Sequence, residues 1–194
     1  MIRIDRRGAT YCEVWYDEEP RGDAGVDIVI YRHRKVPVAD ARSTPSLSLV
    51  TDLCVDEEAI ADGFSRNCRY KIRRAETKDG LRMDLITEPE SRLDEFRAFY
   101  DAFARQKALP LSDRQWLVAA CKARQLVLTV ASQSAEALVW HAYVMSGETA
   151  GLLHSGSCYR NREGDYRALV GRANRWLHWK DMLQLKAMGT QCYD

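Results

Sequence analysis

Three polar side chains in the last helical stretch of the sequence have types and a spacing that suit proton transfer. Asn174, His178 and Asp181 stand at positions i, i+4 and i+7, which places them on one side of a helix. A histidine with a carboxylate one turn away can act as a general base whose tautomer the carboxylate fixes. We therefore take His178 and Asp181 as catalytic candidates. A hydrogen-bonded histidine at the edge of the core has the same pattern and stays open as the alternative.

Two further histidines fall on neighbouring predicted strands. His154 is followed by Ser155, Gly156 and Ser157 near the end of its strand, and His141 lies in the strand before it. Either ring could take a proton from an attacking amine, or could simply pack within the sheet. His154 is the third catalytic candidate.

An arginine- and glycine-rich loop leads into the last helix. Backbone N–H groups at a helix N-terminus, together with the helix dipole, form a natural cradle for a pyrophosphate. Such a loop is also an ordinary polar connection, and the residues alone leave both interpretations open. The candidates for binding the phosphates of a donor are Arg160, Arg162, Gly164, Arg167, Gly171 and Arg172.

The most basic stretch of the chain is a predicted helix. Between Arg66 and Lys78 it holds six lysines or arginines and one acid, Glu76. Guanidinium groups pair bidentately with phosphates and carboxylates, and Tyr70 could stack on a base or ring. The pattern indicates an anion site, and a solvated helix face is the alternative.

Other kinds of chemistry lack their motifs in this sequence. There is no G-x-S-x-G turn, no P-loop and no G-x-G-x-x-G, which argues against a serine hydrolase, nucleotide hydrolysis and NAD chemistry. The six cysteines form no C-x-x-C pair and no cluster with histidine, so we expect reduced thiols and no metal. A net charge of +1 confines any binding of nucleic acid to a local patch.

Length and composition fit a single domain away from membranes. The 194 residues are 46% hydrophobic, enough for a real core, and 29% charged. No apolar run approaches the ~18 residues of a membrane span, and the N-terminus lacks the apolar region of a secretory signal. We expect a cytoplasmic protein without a membrane span.

The elements that must position these candidates alternate between strands and helices. The pattern predicts one mixed α/β domain, with helices on both faces of a mostly antiparallel sheet. The helix that follows Pro110 begins with a capping box formed by Ser112 and Gln115. The predicted strands are 10–16, 26–31, 47–53, 81–87, 126–131, 137–145 and 149–155, and the predicted helices 57–77, 91–110 and 112–123, before the last helix and strand.

Two segments of the sequence resemble the Fem-type branch of the GNAT acyltransferases. The pattern A-N-R-x-L-H-W-x-D-M-x-x-x-K-x-x-G, later followed by Y-D, begins at Ala173, and R-N-x-R-Y-x-I-R-R-A-E occupies 66–76. The likeness spans 56–194, behind a β-rich part at 1–55. It implies a GNAT-like α/β (α+β) fold with a mixed, mostly antiparallel sheet flanked by helices.

The resemblance also implies transfer of an acyl group from an activated donor to an amine of a small molecule or peptide. Acyl-CoA is the expected co-substrate. The alternatives are aminoacyl-tRNA, which Fem-type proteins use, and a non-catalytic binding or assembly module that retains the fold. The acyl group would sit at the strand of His154, whereas the loop at 160–172 lacks the R/Q-x-x-G-x-G/A spacing of GNAT acetyltransferases. The residues that would bind the acceptor or RNA are Arg69, Tyr70, Arg73, Arg74 and Asn174.

The chain stops at Asp194, where relatives usually continue with Phe/Trp-Gly-Gly and further strands. A GNAT-like sheet that lacks its last strands would expose an edge at 191–193. Exposed edges favour pairing with another chain. We therefore expect either a fragment or a homo-oligomer that pairs through this C-terminal edge strand.

Overall fold

The computed structural model describes residues 1–19, 25–159 and 163–194. The strands of these parts are β1 (Ile2–Arg6), β2 (Ala9–Trp15), β3 (Ile28–Arg32), β4 (Thr51–Asp52), β5 (Arg82–Ile86), β6 (Leu126–Gln133), β7 (Glu136–Ser146), β8 (Thr149–Ser157) and β9 (Cys192–Tyr193). The α-helices are α1 (Glu57–Asp62), α2 (Arg66–Lys78), α3 (Leu93–Lys107), α4 (Arg114–Lys122) and α5 (Gly164–Ala187), and a 3-10 turn at Pro89–Arg92 leads into α3.

A six-stranded sheet forms the centre of the molecule, in the order β4-β9-β8-β7-β6-β5. Neighbouring strands of this sheet are antiparallel, except that β8 and β9 are parallel. The tight turn between β7 and β8 has Gly147 at φ +55°, a conformation that glycine adopts without strain. This mixed, mostly antiparallel sheet confirms the predicted fold class.

Helices cover both faces of the sheet, as predicted. On one face, Phe96 of α3 and Leu117 of α4 pack against Leu128, Trp140 and Ala142. On the other face, α2 and α5 cover the sheet through a second apolar cluster. That cluster includes Ile72, Ala75, Ala131, Leu138, Val139, Val170, Ala173 and Leu177.

A separate three-stranded sheet, β1-β2-β3, packs over the α3–α4 side. Its β1 and β2 are antiparallel, and β2 and β3 are parallel. Ile2, Ile4 and Trp15 are buried in the same core as Leu117 and Trp140. The β-rich N-terminal part thus shares its core with the α3–α4 layer.

Three predicted boundaries were wrong because local hydrogen bonds compete with the periodic pattern. The single helix predicted over 57–77 is broken before α2, where the Ser65 hydroxyl accepts a bond from the Cys68 N–H and starts a new helix. Asp113 caps α4, not Ser112, whose hydroxyl bonds to buried Asp101. The strand predicted over 47–53 shrinks to Thr51–Asp52, because β9 offers only two residues for pairing.

The C-terminal strand is not a sheet edge. β9 lies between β4 and β8, with Thr51 opposite Tyr193 and Asp52 opposite Cys192. The open edge expected at 191–193 is therefore wrong, because β4 covers it. Any homo-oligomer would have to use another surface. No helix in the described residues is long and apolar enough to cross a membrane.

Candidate active site

The second half of β8 is paired on one side only within the described residues. Thr149 and Ala150 face Cys192 and Tyr193, and a further bond runs from the Leu152 N–H to the Asp194 carbonyl. From His154 onwards, β8 pairs with β7 and with no other strand in the described part of the chain.

A β-bulge lies at this point of β8. Tyr143 is paired with Leu152 and Ala142 with His154. Leu153 is therefore an extra residue that has no paired residue on β7. Beyond the bulge, His154 and Gly156 lie opposite Ala142 and Trp140, and the Cys158 N–H bonds to the Leu138 carbonyl.

The alternation of an antiparallel ladder then fixes the direction of the Ser155 and Ser157 backbone groups. Since Cys158 directs its N–H towards β7, the N–H and C=O groups of Ser155 and Ser157 point away from β7. They face the side of β8 that carries no strand beyond Leu152 in the described residues. The Ser155 N–H is therefore a backbone donor that lies outside the ladder with β7.

On the α5 side of the sheet lies a buried polar network. Nδ1 of His141 is 2.7 Å from Oδ2 of Asp181, and both side chains are fully buried. The same carboxylate oxygen accepts a hydrogen bond from Tyr143 at 2.6 Å. The hydroxyls of Tyr143 and Tyr193 are 2.9 Å apart, and Nδ1 of His178 is 2.6 Å from the Tyr193 hydroxyl.

The hydrogen bonds of this network have one consistent set of donors. Because Tyr143 gives its only hydroxyl hydrogen to Asp181, Tyr193 is the donor to Tyr143. The hydroxyl oxygen of Tyr193 then accepts from Nδ1–H of His178. Neutral His178 consequently keeps a lone pair on Nε2, the atom with which a histidine base takes a proton.

The surroundings fix the protonation of His178 and of the two tyrosines of this network. Burial lowers the pKa of His178 to about 3, aided by His141 and Arg175 nearby, so its ring is neutral at physiological pH. Burial and the Asp181 carboxylate raise the pKa of Tyr143 and of Tyr193, so both hydroxyls keep their hydrogens. His178 is thus a neutral acceptor supported by a fixed chain of donors.

The three polar residues predicted on one side of α5, Asn174, His178 and Asp181, all contact this network. Asp181 and His178 belong to it directly, and Oδ1 of Asn174 lies 3.3 Å from Nε2 of His141. The rings of His141 and His178 have centroids 4.2 Å apart. Since His141 is opposite Ser155 in the ladder, the network and the Ser155 side chain share one face of the sheet.

His154 lies on the other face and is not brought to the other two catalytic candidates. Its ring packs 4.3 Å from that of Tyr100 and 6.1 Å from that of Phe96. Burial lowers its pKa to about 4. Within the described residues, the ring of His154 makes no hydrogen bond, so its surroundings are those of a packed side chain.

The described residues of the predicted phosphate loop are partly committed to other contacts. Arg172 makes a two-pronged bond to Asp79, at 2.6 and 2.9 Å, which raises the pKa of its guanidinium. Arg167 stacks over the Tyr159 ring at 4.5 Å. Gly164 begins α5 at φ +54°, and Gly171 lies about two turns further on beside Tyr159. Arg160 and Arg162 lie outside the described residues.

The basic face of α2 is exposed. Arg73 and Arg74 point to solvent, and Tyr70 is 52% exposed. Arg69 is also exposed, but its guanidinium bonds to the Ala61 and Asp62 carbonyls. α2 therefore presents a continuous basic surface, which Arg69 joins only in part.

His141, His178 and Asp181 could also offer one ligand atom each to a metal ion, all within 4.8 Å of one another. A metal in that position would compete with the hydrogen bond between His141 and Asp181. Oδ1 of Asp181 is buried with no hydrogen-bond partner in the described part of the chain. The expectation of no metal stays a prediction.

Sequence reasoning named the three histidine and aspartate members of the network, His141, His178 and Asp181, and missed its two tyrosines. Tyr143 is two residues after His141 on one strand, so the two share a face, and that signal was present in the sequence. Tyr193 reaches the site only because β9 pairs beside β8, which no local pattern reveals.

Comparison with solved structures finds the same fold at low sequence identity. The chain matches a crystal structure of FemX with a TM-score of 0.59 and 12% identity, over 75% of this chain and 51% of that one. It matches the C-terminal (DUF2156) domain assigned to a lysylphosphatidylglycerol synthetase of Agrobacterium fabrum with a TM-score of 0.50 and 12% identity, over 74% and 44%. L-PGS from Bacillus licheniformis gives 0.50 and 14%, over 74% and 42%.

These likenesses show that the chain has a GNAT-like fold, which it shares with FemX. The chain spans about half of the FemX chain and less than half of the other two. No protein-family profile and no curated protein matches the sequence.

Proposed function

We propose that this chain is an acyltransferase that moves an activated acyl group onto an amine. The observation that carries the proposal is the Ser155 N–H, which points away from β7, on the strand that also faces the His141–His178 network. A preorganised N–H donor and a neutral hydrogen-bond acceptor on one side of the sheet suit the attack of an amine on an acyl carbon.

The chemistry divides between these two groups. The lone pair of the amine nitrogen attacks the carbonyl carbon, the new C–N bond forms, and the carbonyl electrons move to oxygen. The Ser155 N–H stabilises that oxyanion. Nε2 of His178 accepts a hydrogen bond from the amine and orients its lone pair, because a ring with a pKa of about 3 is too weak a base to hold the proton. The carbonyl then re-forms, the bond to the leaving sulfur or oxygen breaks, and the proton from nitrogen passes to the leaving group.

The proposed donor is an acyl-CoA. Gly164 at the start of α5 and the exposed Arg167 support a site for its phosphates. Arg172 is a weaker candidate, because Asp79 already occupies its guanidinium.

Aminoacyl-tRNA is the second candidate donor. The exposed basic surface of α2, with Arg73, Arg74 and Tyr70, favours it because such a surface suits a polyanion. One of the structural neighbours carries the name of lysylphosphatidylglycerol, an aminoacylated lipid, which supports the aminoacyl alternative. The acceptor would be an amine of a small molecule or a peptide.

The test is transfer to a panel of amines from acyl-CoAs and from charged bulk tRNA, followed by mass spectrometry. Ser155→Pro removes the backbone N–H that points away from β7. The hydrogen bonds between β8 and β7 remain, because Ser155 donates none of them. We expect Ser155→Pro to lower kcat by about 100-fold or more, whereas Ser155→Ala keeps the N–H and most of the activity. Circular dichroism confirms that both variants are folded.

Two outcomes would contradict the proposal. One is product formation that Ser155→Pro and Ser155→Ala alter equally. The other is no product with any donor, which would leave a binding or assembly module as the better account of the fold.

A further inference from the structure

A second feature meets the bulge of β8 from the opposite face. A cleft of about 540 Å³ lies between the β1–β3 sheet on one side and α4 with β8 on the other. Pockets that bury small organic groups fall in the range of about 300–1,000 Å³. The cleft is thus large enough for a bulky side chain and far larger than an acetyl group requires.

The bulge of β8 brings this cleft next to the part of the strand that carries Ser155. In a regular strand, Leu153 and His154 would point to opposite faces. Because Leu153 is the extra residue of the bulge, both side chains line the cleft. Ser155, the proposed oxyanion donor, is the next residue. The cleft therefore adjoins the residue that carries this donor, from the other face of the sheet.

The charged groups of the cleft are already matched within it. Glu13 is buried and accepts bonds from the indole N–H groups of Trp15 at 3.2 Å and Trp116 at 2.8 Å. Its other oxygen pairs with Arg32 at 3.0 Å. Arg6 of the sheet side pairs with Asp113 at the start of α4, on the other side of the cleft. A charged guest would have to break one of these pairs, whereas a neutral guest would not.

The walls are shaped for an apolar guest. Trp15 and Trp116 meet edge to face at 6.1 Å, and Glu13 holds both indole rings by their N–H groups. Ile4 and Ile30 complete the sheet side of the cleft. Aromatic and branched aliphatic groups gain most from burial against such walls.

We propose that this cleft receives the side chain of the transferred group, and that this side chain is large and apolar, aromatic or branched aliphatic. The proposal rests on the transfer activity proposed above. It names the acyl or aminoacyl class that the enzyme selects: phenylalanyl- or phenylacetyl-like groups over glycyl or acetyl groups.

The first test is binding, which needs no turnover. The intact chain is titrated with N-acetylphenylalanine amide and with N-acetylglycine amide, and NMR follows the backbone signals. We expect saturable shifts at β2, α4 and β8 for the phenylalanine amide only. Leu111→Trp narrows the mouth of the cleft and should weaken binding about tenfold or more.

Leu109→Trp is the matched control. Leu109 is 43% exposed and Leu111 is 48% exposed, both lie on the loop between α3 and α4, and only Leu111 lines the cleft. The control variant should bind like the parent chain. Equal binding of both amides, no saturable binding, or equal loss in the two variants would overturn the proposal.

A second readout separates this proposal from the function beneath it. If transfer occurs with equal kcat/KM for acetyl and phenylacetyl donors, the cleft proposal fails and the acyltransferase stands. If no donor gives product while the amide still binds and Leu111→Trp blocks it, the acyltransferase fails. The cleft is then a site for apolar ligands, and its assignment to a transferred group is withdrawn.

Discussion

His178 and His154 show how the surroundings of a residue decide its chemistry. Both rings are largely buried and have a lowered pKa, so both are neutral at physiological pH. His178 is held through Nδ1 by a chain of hydroxyls that ends at Asp181, which leaves the lone pair of Nε2 to accept a hydrogen bond. His154 packs against the rings of Tyr100 and Phe96. The first arrangement suits an acceptor that orients an amine, and the second suits packing.

The lowered pKa values make a prediction about stability and pH. In the unfolded chain both histidines take up a proton near pH 6.5, whereas the folded chain resists it until about 4 for His154 and about 3 for His178. Stability is therefore full above about pH 6.5 and is lost as the pH falls towards the folded values. Urea unfolding at a series of pH values measures this loss.

His154→Phe isolates one of the two contributions, because phenylalanine keeps the aromatic contacts and removes the proton site. Between about pH 7.5 and about pH 5, the variant should lose about 2 kcal/mol less stability than the parent chain. An identical loss in the two proteins would show that the His154 ring takes its proton without cost in the folded state.

At the level of elements, α5 connects most of the functional features. One of its sides supplies Asn174, His178 and Asp181 to the network. Its first half is fastened to the end of α2 by the Asp79–Arg172 pair, in which the side chains are 8% and 12% exposed. The position of the network over the sheet therefore depends on a buried ion pair two turns away along the helix.

Breaking that ion pair should be costly. Asp79→Ala leaves the Arg172 guanidinium buried without its carboxylate, and we expect a loss of about 3 kcal/mol in the free energy of unfolding. The control is Asp62→Ala, which breaks an exposed Asp–Arg pair with Arg69 and should cost less than about 1 kcal/mol. Similar losses in the two variants, measured by urea unfolding, would contradict the structural role of the buried pair.

The basic surface of α2 gives a separate prediction at the same scale. Arg73→Glu with Arg74→Glu should weaken binding of bulk tRNA and lower the salt dependence of binding, the slope of log K against log salt, by about 2. Both side chains are exposed, so stability should change by less than about 1 kcal/mol. Filter binding at several salt concentrations is the measurement.

Arg105→Glu with Lys107→Glu on α3 is the control for this prediction, because it changes the net charge by the same amount on another exposed helix surface. If both double variants lose the same affinity, the chain attracts RNA only through its overall charge, and α2 is a solvated helix face.

At the scale of the whole molecule, Tyr16 joins the N-terminal part to the central sheet. Its hydroxyl lies against Gly151 of β8, where any Cβ atom would stand, and donates a hydrogen bond to Asp194 at 3.1 Å. The end of β2 is thereby fixed over the start of β8. This contact helps to hold the β1–β3 sheet in place over the cleft.

Gly151→Ala should therefore displace Tyr16. We expect a loss of about 1–3 kcal/mol in the free energy of unfolding. Adding Tyr16→Phe removes the clashing hydroxyl, so the double variant should be more stable than the sum of the single effects predicts. Gly171→Ala, where the added methyl meets only ordinary contacts, should stabilise α5 by up to about 1 kcal/mol. Additive effects of Gly151→Ala and Tyr16→Phe would contradict the contact.

The sequence by itself determined the elements and one face of the site. Alternating strands, helix caps and the spacing of Asn174, His178 and Asp181 are local patterns, so they predicted the α/β sheet and the polar side of α5. The predicted helix starts were wrong at Ser65 and Asp113. There a side-chain oxygen caps the helix and outweighs the periodic pattern of apolar residues.

Only the tertiary structure decided which candidates meet. Both His154, near a predicted strand end, and His178, on a predicted helix, were catalytic candidates. In the structure they lie on opposite faces of the central sheet. Tyr193 contacts His178 because β9 pairs with β8, although the whole of α5 lies between these strands in the sequence. Glu13 contacts Trp116, which is 103 residues further along the chain. Such contacts depend on strand order and on a one-residue bulge, and neither leaves a pattern in neighbouring residues.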